Sequence, residues 1–501
     1  MMKMRKTRVS LALGAVLGAA ALAPATSFGW SVDTENGELV TASGGDTLLF
    51  PIYTTAASAT TSFSVTNTSS QTVLSKIRFR EQERSMDVLD FYAILSPFDK
   101  FDFWVERPEG NERPSMGWSD NTCVVGPSGN LVQFPAPSPY VDSSEVMQLG
   151  HLEVLGVANL QHVCLEADGT FTADGSPCGT GATSIAALAK HDSNGVPAGC
   201  STLVNAFADP LIVQAMNQGM GTSNTYLDVD NVLVGRYVIT GAGVGIEGGS
   251  DAIGIRDSNL GPGDGDLPIT AQSGSDCINC SSQYEWDSAE WDHPHLGEMA
   301  NLDNFQDALT ADTIGGDWSN NRANAVGVDW VLSFPSKYAY LDIDNCNADS
   351  ASEWCLLSET RTGNGNDSIW TDNDTDDLCI SDNSLRVFDT EEGEAEGNVN
   401  VSPGTRTTLD ICNEMQVFTL ASADDVEGPR ASVIQTEDRR GVITFENLDA
   451  QRGWAQMGLE WNQTGGAITG ILFTTRATED PTINNGSITD LQKDSGLTRR
   501  N

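Results

Sequence analysis

Hydrophobic residues along much of the chain alternate with polar residues in short runs, and this pattern predicts β-strands. In the segment SKIRFRE, two apolar residues, Ile77 and Phe79, alternate with three basic residues. The basic residues are Lys76, Arg78 and Arg80. A period of two places the apolar pair on one face of the strand and the bases on the other, as in a half-buried antiparallel strand. Most runs are bounded by Gly, Asn, Asp, Ser or Pro, so the sequence predicts a mainly β protein.

The spacing of the predicted strands divides the chain into several parts. The runs from Asp46 to Glu106 predict an immunoglobulin-like β-sandwich, and a second group of runs, beginning at TYLDVDNVLVGRYVIT, predicts a larger one. Between them, helix-like runs and three cysteines predict a small disulfide-stapled, partly helical insertion. Leu302, Phe305 and Leu309 recur at helical spacing and predict a helix within the second sandwich. The predicted parts are a signal peptide at 1–29, the N-terminal sandwich at 30–160, the insertion at 161–225, the C-terminal sandwich at 226–490 with a helical insertion near 296–314, and a polar tail at 491–501.

The N-terminal segment has the pattern of a secretory signal peptide. Basic residues precede the apolar run VSLALGAVLGAAALA, and small residues follow at Ala23-Pro24-Ala25. The run is too short for a spanning helix, and later segments are too polar to cross a bilayer. We therefore expect an exported protein, outside the cell or on its surface, whose mature chain has no membrane span.

Ten cysteines in an exported chain predict disulfide bonds. Proximity along the chain favours two local bridges, Cys346–Cys355 and Cys379–Cys412. A redox role for the CxxC pair Cys277/Cys280 would need a thioredoxin-like βαβ context, which the surrounding sequence lacks. The remaining candidates are Cys123, Cys164, Cys178 and Cys200.

The chain is strongly acidic, with 70 Asp and Glu against 27 Lys and Arg and a formal net charge of −43. A field of this sign repels nucleic acid and anionic lipid and attracts cations. We therefore expect no nucleic-acid partner. Solubility alone is the alternative explanation of the acidity.

Acidic loops are the candidate cation sites, because Ca2+ prefers hard oxygen ligands in flexible loops. In TDNDTDD, Asp372, Asp374 and Asp376 occupy the first, third and fifth positions of an EF-hand-like loop. The match then fails, because Asp377 replaces the turn glycine and Asn383 stands where a bidentate glutamate belongs. Weaker candidates are Asp342 and Asp344 in LDIDNCNAD, and Asp228 and Asp230 in LDVDN. Ca2+ is thus the candidate cofactor, with no organic cofactor expected and solvated loops as the alternative.

Two histidines in the segment WDHPHLGEM form a candidate transition-metal pair. In an extended segment, His293 and His295 would share one face, and with a carboxylate such as Asp292 they could hold zinc or copper. Pro294 argues against a central strand. The favoured interpretation is a packed loop that enters the predicted helix.

The sequence lacks the signature motifs of several enzyme classes. The sequence contains no GxSxG, HExxH or GxxxxGK[ST] motif. A carboxylate pair of the glycoside-hydrolase kind stays an alternative, because the separation of two carboxylates is not visible in sequence. We expect no enzymatic activity.

Four stretches carry a resemblance to a known family: VLVGRYVIT, WDHPHLGEM, VDWVLSFPSKYAYLD and the segment from Ser64 to Asp99. They resemble a family of uncharacterised exported, β-rich surface proteins of Gram-negative bacteria. The segment from Cys164 to Gly219 lies outside the resemblance. The resemblance implies export and a β-rich fold, and it implies no catalytic residues.

These expectations combine into one hypothesis of function. The sequence predicts a cation-stabilised structural or assembly protein of the cell surface, such as a surface-layer or extracellular-matrix component. Its expected partners are copies of itself, other surface components or polysaccharide. The alternatives are a secreted polysaccharide hydrolase that uses a carboxylate pair, and a carbohydrate-binding or adhesive protein with exposed coplanar tryptophans.

Overall fold

A computed structural model gives the architecture of the chain between residues 41 and 494. The residues that it describes are 41–42, 44–83, 87–127, 129, 131–136, 143–169, 171–173, 177–207, 229–241, 246–256, 309, 311, 313–321, 326–335, 371–372, 378–391, 400–402, 409–422, 440–445, 450, 452–458, 469–476, 485–490 and 492–494. The predicted mainly β fold is confirmed, since most of these residues form antiparallel sheets. Among them, no helix is long and apolar enough to cross a membrane.

Two seven-stranded sheets form the N-terminal half. The first sheet contains β1 (Thr41–Ala42), β3 (Thr47–Thr54), β5 (Val73–Glu81), β6 (Asp87–Leu95), β9 (Cys123–Val125), β11 (Leu149–Asn159) and β17 (Ile253–Ile255). Its spatial order is β1-β17-β3-β11-β5-β6-β9. The second sheet contains β2 (Gly44–Gly45), β4 (Ala59–Asn67), β7 (Lys100–Glu106), β8 (Ser115–Trp118), β10 (Leu131–Gln133), β15 (Leu233–Gly241) and β16 (Ile246–Asp251). Its order is β10-β8-β7-β4-β15-β16, with β2 also beside β15.

The two sheets pack face to face through aromatic side chains. Phe63 of β4 and Phe103 of β7 stack with ring centroids 5.1 Å apart. Phe50 of β3 meets Phe63 edge-on at 5.3 Å, and Phe79 of β5 meets Phe103 edge-on at 6.3 Å. These contacts join both sheets into one hydrophobic core, which also holds Ile77. The prediction that Ile77 and Phe79 face a core is therefore confirmed.

Strands β15 to β17 complete the N-terminal sheets, although the sequence analysis grouped them with the C-terminal half. Strand β15 pairs with β4 along its whole length, from Leu233 opposite Asn67 to Gly241 opposite Ala59. Strand β17 pairs with β3. Strand β15 alternates between buried and more exposed residues, as β4 does. It therefore fits beside β4 in the second sheet.

A third sheet of twelve strands forms the C-terminal half. We call β19 (Val326–Ser333), β22 (Asn400–Ser402), β24 (Met415–Ser422), β25 (Arg440–Phe445), β27 (Thr469–Arg476) and β28 (Asn485–Asp490) its inner part. The outer part contains β18 (Thr313–Asn321), β20 (Thr371–Asp372), β21 (Leu378–Asp389), β23 (Leu409–Ile411), β26 (Arg452–Gly458) and β29 (Gln492–Asp494). The parts join only at the β18–β19 hairpin among the described strand pairs, and Trp318 of β18 packs against Phe445 of β25 with centroids 4.8 Å apart.

A small three-stranded sheet and two helices lie between the N-terminal strands in sequence. They are β12 (Val163–Leu165), β13 (Phe171–Ala173), β14 (Thr183–Ser184), α1 (Ile185–Ala189) and α2 (Cys200–Phe207). Short 3-10 turns occur at Ala56–Ser58 and Val146–Gln148. Helix α1 begins at the cap Ser184, whose hydroxyl accepts a hydrogen bond from the Ala187 amide. Ile185 and Leu203 of the helices pack against Tyr92 and Ile94, so the helices cover one end of the first sheet's outer face.

Three described cysteine sites bear on the predicted disulfides. Cys123–Cys200 joins β9 to α2, and Cys164–Cys178 joins β12 to the segment before β14. Cys412 is also disulfide-bonded. Because Ile380 pairs with Ile411, Cys379 lies opposite Cys412 in the antiparallel register, and that pairing stays a prediction. Cys277, Cys280, Cys346 and Cys355 lie outside the described residues.

The turn between β6 and β7 holds an aromatic residue in the left-handed region. Phe98 has φ of 60°, and its side chain is 69% exposed. Its amide donates to the Ser69 carbonyl at 3.0 Å, which fixes the turn. A left-handed conformation costs an L-residue about 1–2 kcal/mol, and glycine adopts it freely.

We expect Phe98→Gly to raise the free energy of unfolding by up to about 1 kcal/mol, because it removes this strain and loses little burial. Urea-induced unfolding measures the change. Phe98→Ala removes the ring but keeps the β-carbon, so it is the control and should leave stability nearly unchanged. A less stable glycine variant would contradict the assignment of strain.

Candidate functional site

Charged side chains are buried on the outer face of the first sheet, and the inner part of the third sheet meets this face at His151. We call this group the buried ion cluster: Lys76, Arg78, Arg80, Asp90, His151, Glu153 and Glu414. Each of these residues is at most 7% exposed, and four of them are fully buried. Charged groups are rarely buried unless they are paired, so the arrangement of partners decides whether the cluster stabilises the fold.

Strand alternation brings the members of the cluster together. On β5, Leu74, Lys76, Arg78 and Arg80 face outward, while the residues between them face the core. Register places Arg80 opposite His151 on β11. The bases and acids of three neighbouring strands therefore share one face.

Hydrogen bonds and ion pairs connect the cluster across the two halves. Arg80 Nε donates to Glu153 Oε2 at 3.0 Å, and His151 Nε2 lies 3.4 Å from Glu153 Oε1. On the other side of the ring, His151 Nδ1 lies 3.1 Å from Oε1 of Glu414, which also accepts from the Ser333 hydroxyl at 3.2 Å. Glu414 and Ser333 belong to the C-terminal half, so His151 links the halves electrostatically.

The main chain reinforces this link. The Met415 amide donates to the Gln82 carbonyl at 2.8 Å, and the Glu414 amide donates to the Glu83 carbonyl at 3.1 Å. Apolar packing continues across the same contact, because Val331 and Val417 belong to the N-terminal core cluster. The start of β24 thus extends alongside the end of β5.

The protonation of His151 follows from its two carboxylate neighbours. Burial acts to lower its pKa, but the charge of Glu414 and the hydrogen bonds with Glu153 and Glu414 outweigh burial and raise the pKa to about 9. The ring is therefore a cation at neutral pH. A charged ring between two carboxylates suits a structural ion bridge, and since all three side chains are buried it presents no group to a substrate.

The prediction that the basic residues of SKIRFRE lie on an exposed face is wrong. The pattern of SKIRFRE predicts a half-buried strand with the bases in solvent, yet Lys76, Arg78 and Arg80 are at most 1% exposed. Lys76 Nζ instead pairs with Asp90 Oδ2 at 2.8 Å. Local alternation alone would assign this face to water, but the fold buries it. The helices pack at its Leu74 end, and Glu414 of the third sheet meets its His151 end.

The second sheet, in contrast, keeps one open face. Its strands β4, β7 and β15 alternate between buried residues and residues that are partly or fully exposed. The open face of the second sheet consists of Thr60, Ser62, Ser64, Thr66, Lys100, Asp102, Trp104, Glu106, Val234, Arg236, Val238 and Thr240. On these three strands two basic and two acidic residues balance in formal charge, and Asp251 of the neighbouring strand β16 adds one acidic residue beside Arg236.

Charged groups on this face are paired with each other or with the sheet edge. Lys100 Nζ lies 2.8 Å from Asp102, and Arg236 Nε lies 3.7 Å from Asp251 on β16. The Ser64 hydroxyl donates to Asp102 at 2.5 Å. In a chain with a net charge of −43, the open face of the second sheet is thus a hydroxyl-rich surface with little net charge.

The predicted cation sites lie mostly outside the described residues. Asp230 is exposed, and its carboxylate accepts from the Gln71 side chain at 3.3 Å. Asp372 ends the short strand β20. The other candidates, Asp228, Asp342, Asp344, Asp374, Asp376, His293 and His295, lie outside. Within the described part of the chain, no group of three His, Cys, Asp or Glu side chains is arranged to hold a metal ion.

Comparison with known proteins gives no match: no family model, no curated protein and no solved structure matches the chain.

Proposed function

We propose that this protein is an exported structural component of the cell surface that assembles with copies of itself, as in a surface layer or an extracellular matrix. The observation that carries the proposal is the open face of the second sheet. The proposal also rests on the predicted signal peptide and on a body in which charged groups lock two halves together.

The charge distribution selects this face as the contact surface. Two copies with a net charge of −43 each repel one another over most of their surface. Contact through a face whose charges nearly balance places fewer like charges together than contact elsewhere. Side chains such as Ser62 and Thr240 form hydrogen bonds and bring no charge into the contact.

Cations have a place in the same proposal. Captured Ca2+ would screen the carboxylates around the contact, and acidic loops such as LDVDN and TDNDTDD would supply its oxygen ligands. EDTA is then expected to weaken assembly.

The proposal also includes an interpretation of the fold as two sandwiches with an insertion. We interpret each pair of facing sheets as a β-sandwich of the immunoglobulin-like kind, and residues 161–225 as an insertion stapled by disulfides. The ring contact between Trp318 and Phe445 supports a second sandwich. The bonds Cys123–Cys200 and Cys164–Cys178 support the insertion.

Two added carboxylates on the open face test the proposal. The full exported chain with Ser62→Glu and Thr240→Glu should self-associate at least about tenfold more weakly than the unmodified chain, because like charges would meet in the contact. Sedimentation velocity over a range of protein concentrations, with and without Ca2+, measures the association.

The matched control adds two carboxylates elsewhere. Ser384→Glu with Thr390→Glu gives the same change in net charge at exposed positions of the outer part, and it should associate like the unmodified chain. Equal weakening in both variants would assign the effect to net charge and contradict the role of the face. An unmodified chain that stays monomeric at all concentrations, with Ca2+ present, would contradict self-assembly itself.

A further inference from the structure

Two aromatic rings and a guanidinium form a stack on the outward face of the third sheet's outer part. The rings of Phe388 on β21 and Trp454 on β26 lie 4.3 Å apart at an angle of 12°. The Arg386 guanidinium lies 4.9 Å from the Phe388 ring centroid. Trp454 is 44% exposed, so a large aromatic surface is presented to solvent.

Register explains why these side chains meet. Phe388 and Asp317 are the cross-strand neighbours of Trp454 on its two sides. Along β26, Arg452 and Gln456 share the outward face with Trp454, and the residues between them face inward. Because Phe388 covers one face of the indole from β21, the other face is turned toward β18.

Beside that second face, strand β18 carries a residue without a side chain. Gly315 on β18 lies opposite Gln456, next to Asp317 on the outward face. Among the described residues, the neighbour that a β-carbon at Gly315 would meet is the Ala455 carbonyl oxygen, at 3.3 Å. Because Gly315 has no side chain, the described side chains leave a shallow recess beside Trp454, with the carboxylate of Asp317 and the amide of Gln456 at its rim.

Two other tryptophans of the C-terminal half are packing residues, and they differ from Trp454 in their exposure to solvent. Trp318 is 1% exposed and donates its indole N–H to the Phe388 carbonyl at 2.9 Å. Trp330 is fully buried and donates to the Asp317 carbonyl at 3.0 Å. A cross-strand aromatic pair can also stabilise a sheet, but that role does not require the exposure that Trp454 has.

We propose that the Trp454 recess binds a carbohydrate ring that carries a carboxylate, as found in an acidic polysaccharide. A sugar ring has an apolar face of C–H groups. This face can stack on an exposed indole ring, which is apolar and accessible from solvent. Asp317 and Gln456 supply acceptors and donors for ring hydroxyls. Arg452, exposed two residues from Trp454 on the same face, pairs with the carboxylate.

Charge supports an acidic ligand at this place in spite of the acidic chain. Among the described side chains of strands β18, β21 and β26, the outward face around the stack carries two guanidinium groups, Arg386 and Arg452, against the carboxylate of Asp317. An excess of basic groups is unusual on a protein in which 70 acidic residues outnumber 27 basic ones. The site is separate from the open face of the second sheet, so it does not depend on self-assembly.

Binding to defined polysaccharides tests the proposal. Affinity electrophoresis and calorimetry with polygalacturonate and with a neutral galactan would be run on the full exported chain. We expect binding to polygalacturonate, weakened at least about tenfold by Trp454→Ala and nearly retained by Trp454→Phe, which preserves the stack. Arg452→Gln should reduce the preference for polygalacturonate over galactan.

The control is Phe98→Gly, which removes an exposed aromatic ring from a turn of the N-terminal half and should bind like the unmodified chain. Circular dichroism confirms that each variant is folded. Binding that is unchanged in Trp454→Ala, or that is lost equally in Phe98→Gly, would overturn the site. Equal affinity for both polysaccharides would overturn the assignment of an acidic ligand, and absence of binding to either would overturn the proposal as a whole.

Discussion

Glu153→Leu is expected to lower the free energy of unfolding by about 3–5 kcal/mol, because it removes the carboxylate that pairs with two buried cations, Arg80 and His151. Glu153 accepts from Arg80 Nε at 3.0 Å and lies 3.4 Å from His151 Nε2. Arg80 and His151 are fully buried, so water cannot replace the lost carboxylate. Urea-induced unfolding followed by tryptophan fluorescence measures the loss.

A double variant separates charge from packing. Arg80→Met together with Glu153→Leu removes both charges of the pair and is expected to recover much of the lost stability, since apolar side chains of similar size can replace a buried ion pair. The surface control is Asp251→Asn, which breaks the exposed Arg236–Asp251 pair at 3.7 Å. Exposed pairs contribute about 0–1 kcal/mol. If Glu153→Leu costs no more than Asp251→Asn, the buried ion cluster does not stabilise the fold.

Local alternation was sufficient to predict the strands and the side chains of the first core. Ile77 and Phe79 pack inward as their spacing in SKIRFRE predicts. Strand β15 likewise alternates between buried and exposed residues over its whole length. This pattern reveals which residues share a face because the side-chain period of a strand is two.

The pairing partner of β15 could not be predicted in the same way. Val234 of β15 lies opposite Thr66 of β4, more than 160 residues away. A strand with apolar residues on one face can pair with any of several other such strands. Alternation therefore does not specify the order of the strands within a sheet. The segment was therefore grouped with its neighbours in sequence.

The buried ion cluster was missed for a related reason. Alternation shows that Lys76, Arg78 and Arg80 share a face, but it does not show that the rest of the chain buries that face. A signal was nevertheless present, since three of only 27 basic residues recur at alternate positions of one strand. Their partners Glu153 and Glu414 are far away in sequence, and only the folded register brings them together.

Alkaline pH is expected to loosen the contact between the two halves. The pKa of His151 is about 9 in the folded protein against an ordinary value of 6.5, because Glu414 and Glu153 stabilise the cation. A pKa raised by folding adds stability that is complete below pH 6.5 and is lost as the pH rises through about 9. This difference corresponds to about 3 kcal/mol at most. Urea unfolding at intervals from pH 6 to about pH 9.5 measures the decline.

The variant His151→Gln isolates the contribution of this ring from other titrating groups. Its amide can hydrogen-bond to Glu414 and Glu153 but carries no charge, so the stability difference from the unmodified chain should be largest at pH 6 and should shrink toward pH 9.5. The contact itself reports the same event, because hydrogen exchange at the Met415 amide, bonded to the Gln82 carbonyl at 2.8 Å, should accelerate over that pH range beyond the intrinsic rise. A stability difference that stays constant with pH would show that His151 does not carry its charge in the folded protein, and the ion bridge between the halves would then have to be abandoned.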